Sequence, residues 1–331
     1  MQALRLRDVG EREAIAIILK RLEAMPNMPI PFGDDVSAYP LNNDLLVLKT
    51  DMLVGLTDVP KGMGLWHAAR KAVVMNVSDF AAKGVKPYAA LVSLGLPGET
   101  TIKDVEEIAE GLNAGAREYG VYILGGDTNE ASDLVINVSM FGMAEKSSVM
   151  LRSGARRGDM VAVTGFFGRT SAGLKILLEN FEASKDIRDA LLGAVLMPKA
   201  RLAEGLALKA SGAVTASIDS SDGLAWSLHE ISKASGVGFV LDNVPVAEEV
   251  LEFAELNGLD PVELALYGGE EYELVLTISP KLWDRAKEAV EKVGGALIKI
   301  GRTVAERGVF LEFNGRKRVI EPKGWEHFRR H

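Results

Sequence analysis

Short apolar runs that break off at aspartate- and glycine-bearing turns recur along this chain, separated by longer amphipathic stretches. That alternation restricts the fold to mixed α and β structure, since runs of about four to eight apolar residues suit buried strands and 3.6-period stretches suit helices. Strands are expected over 45–48, 91–96, 121–124, 134–143, 160–164, 214–218, 238–241 and 272–278. Helices are expected over 11–25, 66–83, 102–119 and 172–180, and from Asp222 to about Ser235. Pro26, Pro29 and Pro31 stop the first helix. Gly84 closes the second, where Ala69, Val73, Asn76 and Phe80 fall on one side. The order of elements is irregular, which points to α/β or α+β architecture with mixed sheets rather than a strict βαβ repeat.

A chain of 331 residues is long for one domain and comfortable for two. The polar, glycine-containing stretch 146–159 is the natural division, giving expected domains of 1–146 and 147–331. There is no cysteine, which removes disulfides, thiolate metal sites and cysteine nucleophiles together. Charged residues interrupt the opening MQALRLRDVG, so it does not read as a signal peptide, and no apolar run reaches the ~20 residues that span a bilayer. A cytoplasmic protein without a membrane partner is expected. The net charge of −8 argues against nucleic acid as a partner.

The phosphate loop G-x-x-x-x-G-K-[ST] is absent, as are the protein-kinase and G-x-S-x-G signatures. His67, His229, His327 and His331 are scattered without metal-ligand spacing. What remains is a set of aspartates at the edges of apolar elements. Asp34 and Asp35 lie in a glycine loop, Asp51 ends a strand and Asp79 sits on an otherwise apolar helix side. Asp127 follows a strand and two glycines, and Asp219 and Asp222 flank a strand-to-helix turn. Desolvating an ion costs several kcal/mol, so carboxylates that converge in an interior need cations. Oxygen-only donors favour magnesium, which shares its shell with water and phosphate. At any single position, helix capping and turn formation are the commoner role of such an aspartate.

The turn Gly165-Phe166-Phe167-Gly168 before a helix could present N–H groups to phosphate, and Gly125-Gly126 could let a ligand approach the backbone; a tight structural turn is the commoner use of both. Arg152 and Arg156 could clamp phosphates or be solvated. Trp325 could stack on a flat cationic ring or cover the core.

Taken in order, the segments GDDVS (33–37), KTDMLV (49–54), NVSDFAAKG (76–84), GGDT (125–128), LRSGARRGD (151–159), TGFFGRTSAGL (164–174), SIDSSDGL (217–224), GGEEYEL (268–274) and KGWEHF (323–328) resemble the thiamine-monophosphate kinases. That family belongs to the superfamily of aminoimidazole ribonucleotide synthetase, hydrogenase-maturation and selenophosphate synthetase proteins, and the resemblance runs from about Phe32 to Phe328. It implies a two-domain fold: an amino-terminal part that builds a barrel across a homodimer, and a carboxy-terminal part with a mixed sheet. It implies magnesium held by Asp35, Thr50, Asp51, Asp79, Asp127, Asp219 and, more peripherally, Asp222. ATP would meet Gly126, Arg152 and Ser221, and thiamine monophosphate would meet Asp58, Glu270 and Trp325. Three positions depart from the family pattern. Lys49 stands where many bacterial members have Ser or Thr, Asp58 aligns with a histidine, and Glu271 replaces the usual Asp of GGEDYEL.

The implied reaction is in-line attack by a phosphate oxygen of thiamine monophosphate on the γ-phosphorus of ATP. That oxygen is already anionic, so no side-chain nucleophile or base is expected. The alternatives are an amide- or amidine-activating synthetase of the same superfamily and a nucleotide-binding protein without turnover. The cysteines expected of the hydrogenase-maturation and selenophosphate branches are missing.

Overall fold

A computed structural model describes residues 5–146, 148–313 and 315–328; His331 and the first four residues of the opening segment lie outside them. The chain builds two mixed sheets with helices packed on them. The first sheet holds β1 (Ser37–Leu41), β2 (Asp44–Val54), β3 (Pro87–Leu96), β4 (Tyr122–Glu130) and β5 (Val135–Glu145) in the order β1-β2-β5-β3-β4. All its pairings are antiparallel except β3 with β4. A parallel pair needs a crossover, and the helix Ile102–Glu118 supplies it.

The second sheet holds β6 (Met160–Val163), β7 (Val214–Asp219), β8 (Gly238–Leu241), β9 (Leu274–Ile278), β10 (Ile298–Val304), β11 (Val309–Phe313) and β12 (Arg316–Val319). Its order is β12-β11-β8-β10-β6-β9-β7, with β8 and β11 parallel. Strands β8 and β9 are buried along their whole length, as expected of strands covered on both faces.

The helix Leu65–Lys83 joins the two halves. Fifteen of its nineteen residues are buried, so it behaves as a core helix with contacts all round. It packs on β2 and β5 of the first sheet and on β7 of the second, and one apolar cluster runs from Val47 and Val138 through Val77 and Phe80 to Leu208 and Leu276. Neighbouring helices approach it closely through glycine. A Cβ on Gly111 would lie 2.2 Å from the Trp66 carbonyl oxygen, and one on Gly205 would lie 2.1 Å from that of Ala81. Gly84 ends the helix in the left-handed region at φ 62°.

Several boundaries differ from the sequence reading for physical reasons. β2 does not end at Thr50-Asp51 but continues to Val54, because Leu53 is fully buried. β4 likewise carries Gly125-Gly126-Asp127-Thr128 inside the strand and not in a turn after it. β1 escaped notice because Pro40 breaks its pattern; it is an edge strand, where a missing N–H is tolerated. The amino-terminal helix stops at Leu19, since nothing buries residues 20–24 and a short helix needs packing to persist. The helix after β7 starts at Leu224 with Gly223 as its cap, so neither Asp219 nor Ser221 caps it and Asp222 lies before it. No helix among the described residues is long and apolar enough to cross a membrane.

Two predictions follow from this packing. Gly205→Ala should lower stability by about 1–3 kcal/mol in urea unfolding, because the new methyl must push its helix off the central one; an unchanged midpoint would show that contact to be loose. The second concerns Glu271, whose Oε1 accepts from Gly168 N (2.7 Å) and Thr170 N (3.1 Å) at the start of the helix Arg169–Glu179. Burial pushes its pKa up to about 7 despite the hydrogen bonds from Thr170 and Gly168. The folded state therefore binds this proton more readily than the unfolded chain, and the associated stability, full at low pH, is lost as pH rises toward about 7. Glu271→Gln keeps the acceptor without the charge. Its melting temperature should match wild type at pH 5 and exceed it at pH 8; a variant equally displaced at both pH values would contradict the assignment.

Candidate functional site

Asn76, Asp79 and Lys83 are spaced by three and four residues on the central helix and so share one face. That face looks onto β2 on one side and the end of β7 on the other. Asp35 from the Gly33 loop, Asp79 from the helix and Asp219 from β7 are all buried, and one carboxylate oxygen of each lies within 4.8 Å of the other two. Ser78 Oγ donates to Asp219 Oδ2 at 2.7 Å, which fixes that carboxylate across the two halves.

Basic side chains reach into the same space. Lys83 Nζ is 2.6 Å from Asp34 Oδ1 and 2.7 Å from Asp35 Oδ2, and donates to the Ser217 carbonyl at 2.9 Å. Arg152 donates through Nε to Asp35 Oδ1 at 2.6 Å and through Nη1 to Glu230 Oε2 at 3.1 Å and Gly33 O at 2.9 Å. Lys49 Nζ lies 3.0 Å from Asp51 Oδ1 and 2.9 Å from Asp79 Oδ2.

The electrostatics separate these carboxylates. Burial works against the charge on Asp35, but Lys83 and Arg152 outweigh it and hold its carboxyl below the usual range. Burial pushes Asp79 well above that range; Lys49 opposes the shift, and Asp51, Asp219 and Asp35 add to it. Asp219 rises to about 7 through burial and repulsion from Asp35, against the Ser78 hydrogen bond. Asp222 rises to about 6 through burial and Glu11. Lys49 pays for burial with two carboxylate neighbours, Asp79 first, which keep it charged.

Three converging carboxylates form an all-oxygen donor set of the kind hard divalent cations take. The buried hydroxyls of Ser217 and Ser220 and the amide oxygen of Asn76 have no hydrogen-bond partner, so uncommitted polar atoms occupy the same segments. The residues present fit a divalent metal.

The other expected site residues fall into two further groups. Thr50 and Asp127 are exposed on the open side of the first sheet, outside the buried triad. Thr50 Oγ1 donates to Asn137 Oδ1 (3.1 Å) and lies 2.9 Å from Ser139 Oγ, while Asp127 pairs in register with Ser93. Gly126 is beside Val92, whose carbonyl oxygen would be 1.7 Å from an added Cβ, so that strand pairing admits no side chain.

Asp58, Glu270 and Trp325 gather near Lys71. Lys71 Nζ pairs with Glu270 and donates to the Asp58 carbonyl at 3.0 Å. The Asp58 carboxylate accepts from Val54 N at 2.7 Å and lies 3.9 Å from His327 Nε2. Trp325 is 46% exposed, with its ring edge-on to His327 at 5.9 Å, and its backbone N–H donates to the Asp222 carbonyl at 3.3 Å. Ser221 is exposed, and its carbonyl accepts from Glu270 N at 2.6 Å, which helps hold Glu270 at φ 63°. At the Gly165–Gly168 turn, Gly168 N donates to Glu271 Oε1 and Phe167 N to the Pro245 carbonyl, so these two N–H groups are committed within the protein. Arg156 is exposed, and its backbone N–H bonds Asp159.

Sequence reasoning missed Lys71 and Lys83 as members of these groups. The available signal was their place on a helix that is buried nearly all round, where an unpaired ammonium is not tolerated.

Residues 33–144 match the N-terminal domain, and residues 156–314 the C-terminal domain, of AIR synthase related proteins. The chain is 40% identical to the thiamine-monophosphate kinase of Nitrosopumilus maritimus over 90% of this chain and 93% of that one. It is likewise 40% identical to the thiamine-monophosphate kinase of Pyrococcus horikoshii, over 90% and 91% of the two chains. A solved structure of AaThiL complexed with AMPPCP and TMP superposes with a TM-score of 0.86 at 31% identity, covering 99% of this chain and 100% of that one. Likeness of this extent and identity shows common descent across both sheets and the helix between them: the chain belongs to the thiamine-monophosphate kinase family.

Proposed function

We propose that this chain transfers the γ-phosphoryl group of ATP to thiamine monophosphate, giving thiamine diphosphate and ADP, with magnesium as its metal. The observation that carries the reading is the convergence of Asp35, Asp79 and Asp219 from three separate segments onto one buried point. Likeness to named kinases over most of the chain supports it.

In this reading Asp35, Asp79 and Asp219 hold metal in the buried cluster, with Asp51 beside them and Asp222 more peripheral. Thr50 and Asp127 hold metal on the open side of the sheet. Bound there, magnesium would screen the repulsion between two polyanions and align their phosphates. Arg152 and Ser221 would meet ATP at the mouth of the cluster, and the bare backbone at Gly126 would let it approach closely. Asp58 and Glu270 present negative charge to a thiazolium cation, and the exposed Trp325 ring offers it a flat face. The acceptor phosphate is itself the nucleophile, so the chain supplies position and field rather than a base.

The open face of the first sheet carries Tyr39, Leu48, Met52 and Leu91, all exposed. An apolar sheet face of this kind suits pairing with a second copy, which supports a homodimer closed through a shared barrel. A division near 146–147, with one sheet on each side, and a cytoplasmic location complete the proposal.

Purified protein incubated with magnesium-ATP should form thiamine diphosphate and ADP in equal amounts from thiamine monophosphate and not from thiamine, and EDTA should abolish both. Asp79→Asn and Asp219→Asn should each lower kcat by about 100-fold or more with an unchanged circular dichroism spectrum. Near-normal turnover in both variants, with metal still required, would overturn the assignment of the cluster; no product from folded wild-type protein would overturn the reaction.

A further inference from the structure

Lys49 occupies a place that a metal ion would otherwise compete for. It sits two residues before Asp51 on β2, so the pleat puts both side chains on the same face. Its ammonium is 3.0 Å from Asp51 and 2.9 Å from Asp79, which lies on a different element. Only 19% of its side chain is exposed, and both of its close partners are carboxylates. Lys83, with no exposure, also has a neutral acceptor in the Ser217 carbonyl and is anchored from three sides.

The charges around the central helix can be counted from these contacts. Asp34, Asp35, Asp51, Asp79, Asp219 and Glu230 face Lys49, Lys83 and Arg152, six carboxylates against three fixed cations. The deficit left over is one that a bound divalent ion would reduce. Without Lys49 the deficit would be larger by one charge, and Asp51 and Asp79 would be left facing each other. A divalent ion bridging these two carboxylates would need oxygen contacts of about 2.1 Å and would meet the ammonium in the same space.

We propose that Lys49 is a resident cation that takes the place of one divalent ion between Asp51 and Asp79, so that the nucleotide-free protein is folded with one metal ion fewer than its carboxylates could hold. The inference rests on reading the acidic cluster as a metal site.

The test counts bound Mn²⁺ in nucleotide-free protein by electron paramagnetic resonance of the free ion, comparing wild type with Lys49→Met. The variant should bind about one more Mn²⁺ per chain than wild type. Its melting temperature in EDTA should fall below that of wild type and recover with Mn²⁺. Equal or fewer Mn²⁺ ions on Lys49→Met would overturn the proposal. Should the variant be unfolded in EDTA, refolding by Mn²⁺ is the dependence expected, and failure of millimolar Mn²⁺ to restore its circular dichroism would overturn it. Wild-type protein that binds no Mn²⁺, with or without ATP, would refute the metal-site reading itself and is distinguishable from either result.

Discussion

Like charges crowded against one buried helix face are the constraint on which this structure depends. Asp79 cannot leave the face, because its helix is enclosed by the first sheet, by the helices Ile102–Glu118 and Leu202–Ser211, and by β7. Asp35 is brought to it by the Gly33 loop of the first half and Asp219 by β7 of the second. Such a cluster persists only where cations are built in or bound. Lys49, Lys83 and Arg152 supply part of that charge, and the raised pKa values of Asp79 and Asp219 show where it falls short. In the proposed reading, the imbalance left over is the capacity to hold a metal and the phosphates that accompany it.

The same helix makes the site a property of both halves. Ser78 and Lys83 project from it to Asp219 and Ser217 of β7, while Asp79 pairs with Lys49 of β2. Loss of its fit against either sheet would separate the carboxylates. The glycines at 111 and 205 matter for that reason: they set how near the flanking helices can come. Around Lys71, about two turns before Asp79 on the same helix, the chain gathers Asp58 and Glu270, with Trp325 close by through His327. One element thus positions both the acidic cluster and the group around Lys71.

Much of this arrangement was legible in the residues. The helix 66–83 stood out because its apolar positions recur at helical spacing and Gly84 ends it, and the observed helix is Leu65–Lys83. The aspartates stood out because carboxylates interrupt apolar runs at a cost that invites explanation. The sequence reading could not place Asp51 and Asp127 inside strands, since their strands are extended by neighbours distant in sequence: β2 lies along β5, and β4 along β3. Nor could spacing tell that Thr50 and Asp127 lie on the open face while Asp79 and Asp219 are interior; that depends on which side of the sheet the central helix covers. Lys71 and Lys83 read as ordinary helix lysines until their burial was seen. The contrast is physical: local periodicity writes helices into sequence, whereas charge pairing across elements is written only in three dimensions.

The most direct test of the central claim is the anomalous difference map of crystals soaked in Mn²⁺ with a non-hydrolysable ATP analogue. A peak within coordination distance of the Asp35, Asp79 and Asp219 carboxylates is the predicted result. Peaks confined to exposed carboxylates elsewhere, with these three still unliganded, would contradict it.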